Sequence, residues 1–367
     1  MRNRKRSQLD MIKEELKNKS NSTPAPFSVT KSERILVEKI MLKTKENNLN
    51  NVTRTRAYLD FYLRYPDIHW AFLGHMVSRN GGWNMTDLKG EFLTRLMTKK
   101  DRVLFFQFLE RGNWLIFQDV YPQFLLYEES LRQGKPLFHL FRHFNISIFM
   151  EILWHQFWKS NDAYMLTIAL VINEQYYLEK RVVQNPQNQK DVLNKLEFLL
   201  QDWLSINHIL FPYGNKNLVG QTLHQFESLH ERILLGKRLY KILFHQGIHP
   251  KVVEWAKNHH HTGSRKDYWP DIFNSVNEGT PGFPYQLHLE SCQLRPSAKR
   301  IYSPTLENAW KNVKHIEAEM GDWFNDWHVV DYLKEDEKIV NGEIKDEYCK
   351  TLERLELAAL AKKAITF

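Results

Sequence analysis

Cysteine is nearly absent from this chain. Only Cys292 and Cys349 occur in 367 residues, far apart in sequence. Two such residues make neither a disulfide framework nor a CxxC metal site, and that usage fits a reducing compartment. A long clean apolar run is also missing. The most membrane-like stretch, Ile146 to Trp158, is broken by Glu151 and His155. It falls short of the roughly 18 apolar residues that a transmembrane segment requires. No apolar segment follows the basic N-terminus, so no signal peptide is expected. No stretch alternates apolar and polar residues for long enough to make a strand. No fixed period announces a solenoid. A Walker-type Gly-Lys-Ser/Thr and a GxGxxG are both lacking, which leaves nucleotide binding without support.

Aromatic side chains are abundant, with 22 Phe, 15 Tyr and 11 Trp. That supply is enough for an extensively ring-packed core or a groove lined with rings, and it excludes disorder of the whole chain. The formal net charge of +8 is mild for this length, and acids and bases are interleaved nearly everywhere. The clear excess sits in Arg2, Arg4, Lys5 and Arg6. Such a tail can touch nucleic acid or an anionic membrane, although most such tails are only solvated.

Read in order, the chain is a succession of helices. Residues 1–26 form a basic, flexible N-terminal segment, a loose helix without an apolar face followed by a polar linker. Thr30 with Glu33 makes a capping box for a helix to about Asn48. The next helix, about Thr53 to Tyr65, carries Tyr58, Phe61, Tyr62 and Tyr65 at core spacing. Asn80-Gly81-Gly82 is expected to stop the following helix, with Asn84 capping another. Arg111-Gly112-Asn113 reads as a further break. Ile146 to Trp158 and Ala163 to Arg181 are apolar nearly all round, which predicts burial at the centre. Asp191 to Phe211 reads as an amphipathic helix and Leu218 to Gln246 as the longest one. Residues 275–301 have no helical period. Ser303 and Pro304 cap a helix from Leu306 to Met320, and Lys345 to Lys363 is the last. The fold class is therefore all-α, an irregular multi-helix globular fold with an aromatic-rich core. The expected organisation is a helical domain over 27–335, with a sub-boundary near 185–189, and a C-terminal helix within 336–367.

Two blocks combine polar groups, rings and glycine. The first is His75-Met-Val-Ser-Arg-Asn-Gly-Gly-Trp-Asn-Met-Thr-Asp-Leu-Lys-Gly90 and the second is Thr262-Gly-Ser-Arg-Lys-Asp-Tyr-Trp-Pro270. His75 and Ser78 stand at i and i+3, so they can meet on a helix. They are candidates for a nucleophile pair with Asp87 or Asp267 as the orienting acid, set against a helix-end histidine and a serine bonded to its own backbone. Arg79, Trp83, Arg265, Asp267 and Tyr268 are the candidate ligand-binding residues, because a fixed guanidinium beside rings can grip carboxylate or phosphate. The plain alternative is an internal Arg–Asp pair that locks the loop. Buried polar groups need one another as partners, so the two blocks are expected to pack together, with Arg79 or Arg265 pairing with Asp267 or Asp87.

Metal chemistry finds less support. His69 and His75 lie about 240° apart on one helix and cannot share an ion. Glu227 and His230 have the spacing of a di-iron ligand pair, but that chemistry requires a second pair and two further carboxylates. His259-His260-His261 is adjacent, not helically spaced. No metal or cofactor is expected.

The two blocks resemble those of a Bacillus family of unknown function, the YppC-like proteins, over about residues 30–330. The resemblance implies a bacterial, Firmicute, cytosolic protein. It carries no activity, cofactor or catalytic residue. Two function classes stand. One is a helical protein-interaction protein, which would leave an aromatic stripe exposed as a patch. The other is an enzyme or small-ligand binder whose pocket lies between the two blocks, with its rings inside and polar tips in a concavity.

Overall fold

The computed structural model describes residues 7–21, 29–184, 208–214, 217–279, 286–335 and 340–365. Arg2, Arg4, Lys5 and Arg6, the loop at 185–189 and most of the helix expected over Asp191 to Phe211 lie outside these residues. Within them the protein is a mostly helical assembly, as the sequence periodicity predicts. No helix among the described residues is long and apolar enough to cross a membrane.

The first half supplies the helical body: α1 (Gln8–Asn21), α2 (Lys31–Asn47), α3 (Asn51–Arg64), α4 (His69–Asp87), α5 (Leu93–Leu96), α6 (Lys99–Gln133), α7 (Ile148–Ser160) and α8 (Ala163–Leu178). The Thr30–Glu33 capping box opens α2 as expected, and Asn50 with Thr53 makes a second one for α3. Helix α8 is apolar nearly all round and runs through the centre, packed against α4, α6 and α7. The rings of the Tyr58 stripe turn inward, with Phe61 stacked on Phe124 at 4.8 Å. A buried polar chain crosses this core. Asp119 accepts from Gln123 and Asn173, and the indoles of Trp154 and Trp323 donate to Gln123 and Asn173. Helix α1 is not without an apolar face, since Ile12 and Leu16 are fully buried.

Several expected breaks are absent. Helix α4 continues through Asn80-Gly81-Gly82 and past Asn84 to Asp87. A Cβ on Gly82 would lie 2.5 Å from Asn51 Oδ1 and 2.7 Å from the His261 ring. The glycine therefore admits two side chains to the helix backbone and does not end the helix. Asn80 holds strand β1 (His208–Tyr213): its Oδ1 accepts from Leu210 N at 2.9 Å and its Nδ2 donates to Leu210 O at 3.0 Å. Helix α6 likewise continues through Arg111-Gly112-Asn113 and Pro122, because burial along both flanks outweighs the local helix penalties.

The second half departs further from the sequence reading. Leu218 to Gln246 is not one helix. It begins as strand β2 (Asn217–Thr222), antiparallel to β1, and becomes helix α9 (Leu229–Leu243) only after the Ser228 cap. A Cβ on Gly220 would lie 1.9 Å from Ile209 O, so this strand position admits only glycine. Helix α10 (His249–Asn258) follows. Two small pairs then form, β3 (Phe273–Asn274) parallel to β6 (Ile301–Tyr302), and β4 (Leu289–Glu290) antiparallel to β5 (Gln293–Leu294). Of the expected Leu306 to Met320 helix only α11 (Leu306–Ala309) forms. The chain then runs as a strap across the helical body. Trp310 stacks on Phe106 at 4.0 Å, His315 on Trp114 at 5.1 Å, and Trp323 on Tyr176 at 4.7 Å. An extended backbone reaches these three separated slots, whereas a helix at 1.5 Å per residue would fall short. The last helix, α12 (Lys345–Ile365), forms as expected. A disulfide joins Cys292 to Cys349 on this helix, with Cα atoms 5.3 Å apart. That pairing corrects the sequence reading, and the cysteines no longer argue for a reducing compartment.

Candidate functional site

The two dense blocks do come together, through helix α4 and the loop after α10. Arg79 Nη1 donates to His259 O at 2.6 Å and Nη2 to His260 O at 3.4 Å, so the guanidinium caps the C-terminal end of α10. It lies 4.6 Å from the Trp255 ring centre and 5.6 Å from that of Tyr268. Arg265 forms an ion pair with Asp87, donates to the Tyr348 hydroxyl, and covers the Trp83 ring at 4.2 Å. Ser303 Oγ donates to the other Asp87 oxygen at 2.8 Å. Burial pushes the Asp87 carboxyl up, and Arg265 opposes that shift. Thr86 Oγ1 donates to Gly263 O at 2.7 Å.

Asp267 serves its own loop. It accepts from Thr262 N at 2.6 Å and Thr262 Oγ1 at 2.8 Å, with His261 Nδ1 3.6 Å away. Burial acts to raise its pKa, but the neighbouring His261 and the hydrogen bonds from Thr262 outweigh that and hold the carboxyl below its ordinary value. His75 and Ser78 do not bond to each other. His75 Nδ1 donates to Thr55 O at 2.8 Å, while Ser78 Oγ pairs with Thr55 Oγ1 at 2.6 Å and accepts from Asn51 Nδ2 at 3.0 Å. Burial and the nearby Arg79 keep the His75 ring neutral, well below the ordinary histidine range. Asp87 faces Arg265 and Ser303, so it orients neither residue.

This junction is sealed. Arg79 is 1% exposed and Arg265 2%. The void beside Asp87 and Arg265 is about 10 Å³, room for one water at most. What it does chemically is to lock α4, the 262–270 loop and α12 together.

A much larger cavity lies on the other flank of α4, walled by α3, α4, α6, α8 and α9. Its volume is about 240 Å³. Leu73, Val77, Ile116, Val171, Leu235 and Leu239 give it an apolar lining. Ser78 is the sequence candidate that reaches this wall. The polar tips are Glu174, Gln175, Arg54 and Arg232, with the indole of Trp70 and the ring of Tyr58 beside them. Arg54 pairs with Glu110 at 2.5 Å and donates to Asn48 Oδ1 at 3.2 Å. Arg232 pairs with Glu179 and donates to Gln175 Oε1 at 2.9 Å and to Phe226 O at 2.5 Å. Gln175 Nε2 in turn donates to Glu174 Oε1 at 2.9 Å. Burial pushes the Glu174 carboxyl up to about 8.

Sequence reasoning missed this site, but one signal was present. Glu174 is the single charged residue in the Ala163–Leu178 helix. An acid on a helix that is otherwise apolar all round has to face something other than packed hydrocarbon.

The profile of a family described as a protein of unknown function (DUF2515) matches residues 46–349. An uncharacterized protein, YppC of Bacillus subtilis (strain 168), is 42% identical over 234 residues, which is 64% of this chain and 73% of that protein. No solved structure matches.

Proposed function

This chain belongs to the DUF2515 family of proteins of unknown function, and from that footing we propose that it binds a small, largely apolar molecule in the cavity between α3, α4, α6, α8 and α9. The observation that carries this reading is the cavity itself. At about 240 Å³ it exceeds the roughly 150 Å³ that suffices to hold a benzene molecule. It also has the make-up of a ligand site, an apolar wall with a few convergent polar groups. The location of the rings supports the same reading. Among the described residues the large exposed hydrophobics are aliphatic or methionine, for example Ile35, Leu42 and Ile316, and none is aromatic. An interaction surface built on rings has no counterpart there. We keep the bacterial cytosol as the compartment: the relative is bacterial, and no described helix is long and apolar enough to cross a membrane. The Cys292–Cys349 disulfide counts against it, since reducing compartments keep thiols apart.

Gly112 provides the test. It lines the cavity, and a Cβ there would meet nothing closer than Leu178 Cδ2 at 4.0 Å. Gly112→Leu should fill the space, leave the fold intact by circular dichroism, and abolish retention of small molecules by the purified chain in native mass spectrometry. A variant that retains the same compounds as the wild type would refute the reading.

A further inference from the structure

The charge balance around the cavity is uneven. Each arginine on its wall has a carboxylate of its own, Glu110 for Arg54 and Glu179 for Arg232. Glu174 is in no ion pair of its own: its carboxyl accepts from the neutral amide of Gln175 at 2.9 Å, and the Trp70 indole and the more distant Arg232, already paired with Glu179, also favour its charged form. The wall therefore presents one carboxyl in excess. Two rings flank it. Trp70 and Tyr58 meet edge to face with centroids 5.4 Å apart. Both line the same cavity as Glu174, and Tyr58 lies near enough for the acid to raise the phenol's pKa after burial has done so. A carboxyl in an apolar cavity that two aromatic rings also line is a site for an organic cation.

We propose that the cavity takes a small aliphatic amine, with its ammonium on the Glu174 carboxylate beside the Trp70 and Tyr58 rings and its hydrocarbon tail along the apolar wall. This rests on the cavity being a ligand site and names the class of ligand. The proton balance is definite. The free site holds Glu174 as a neutral acid up to about pH 8. The amine arrives as ammonium, so binding below that pH expels the carboxyl proton to solvent. Affinity for the amine therefore rises about tenfold per pH unit until about pH 8 and then levels until the amine itself deprotonates.

The experiment is calorimetric titration of the full chain with hexylamine, hexanol and hexanoate across pH 6 to 9, on the wild type and on Glu174→Gln. Three chains of equal length separate the headgroup from the tail. The expected result is that hexylamine binds tightest and tightens about tenfold per unit to pH 8. In Glu174→Gln its affinity should drop at least tenfold at pH 8 and lose its pH dependence, while hexanol binding is retained. Retained hexanol binding also shows that the variant is folded and its cavity intact. If hexanoate outbinds hexylamine, or if hexylamine is indifferent to pH and to Glu174→Gln, the amine assignment is wrong although the cavity reading survives. If none of the three binds, both fall.

Discussion

Replacing Gly81 and Gly82 by alanine, one at a time, sets two neighbouring positions of one helix against each other. In a helix interior alanine is favoured over glycine by about 1 kcal/mol. At Gly81 a Cβ would meet Asn113 Oδ1 at 3.5 Å, an ordinary contact, so Gly81→Ala should stabilise by about 1 kcal/mol. At Gly82 the same gain is opposed by overlap with Asn51 Oδ1 at 2.5 Å and the His261 ring at 2.7 Å. Those two side chains share a 2.8 Å hydrogen bond in a sealed interior. Separating them leaves a buried donor and acceptor unmet, at about 1 to 3 kcal/mol. The overpacking adds a further ~1 to 3 kcal/mol. Gly82→Ala should therefore destabilise by about 1 to 5 kcal/mol net. Urea unfolding of the two variants, with an unchanged slope against denaturant, measures both. Destabilisation by both would mean that the backbone here requires glycine, as a helix stop would. Stabilisation by both would mean that Asn51 and His261 are loosely held and that the notch has no packing role.

Two other perturbations probe buried charge. Arg265→Ala removes the cation from the sealed Asp87 carboxylate and should cost about 3 to 5 kcal/mol; a loss under about 1 kcal/mol by urea unfolding would show that the Ser303 hydrogen bond suffices. Asp119 is raised by burial from 3.8 to about 7, so the folded state keeps a proton that the unfolded chain releases. Its contribution to stability falls as pH rises from about 4 and levels near 7, which is about 3 kcal/mol between pH 5 and pH 8 by linkage. Asp119→Asn should abolish that slope, and parallel pH profiles for the two proteins would refute the assignment.

What the sequence disclosed was local. The Thr30–Glu33 box, the Tyr58 stripe and the apolar α8 each depend on contacts within a few turns, and each is where the pattern places it. The junction of the two dense blocks was also legible, because polar groups amid rings and glycine need partners. What stayed hidden depended on distant chain. Gly82 imitates a helix stop, and only the arrival of Asn51 and His261 explains it. Leu218 to Thr222 reads as the start of a helix until β1 is present to pair with. Cys292 and Cys349 meet only because α12 returns to the β4–β5 turn. The cavity is bounded by five helices together with Ile209 of β1, Leu223 and Phe226 before α9, and Val182 and Val183 after α8, and no single segment signals it beyond the stray acid of α8.

The strap over α6 and α8 separates two properties that usually travel together. Its rings are anchored, and its carbonyls are gripped by bases: Arg111 donates to Ile316 O, Arg181 to Glu319 O and Gly321 O, and Lys180 to Asp322 O. Yet no amide of residues 311–326 donates to a described main-chain carbonyl. Hydrogen exchange reads amide protection, not side-chain order. In solution this stretch, apart from Gly321 and Phe324, whose amides donate to Asn145 Oδ1 and Asp322 Oδ1, would trade its amide protons for deuterium far faster than the helices around it while its tryptophans stay fixed in their slots. An exchange map alone would therefore mistake one of the more firmly pinned segments of the protein for one of its loosest.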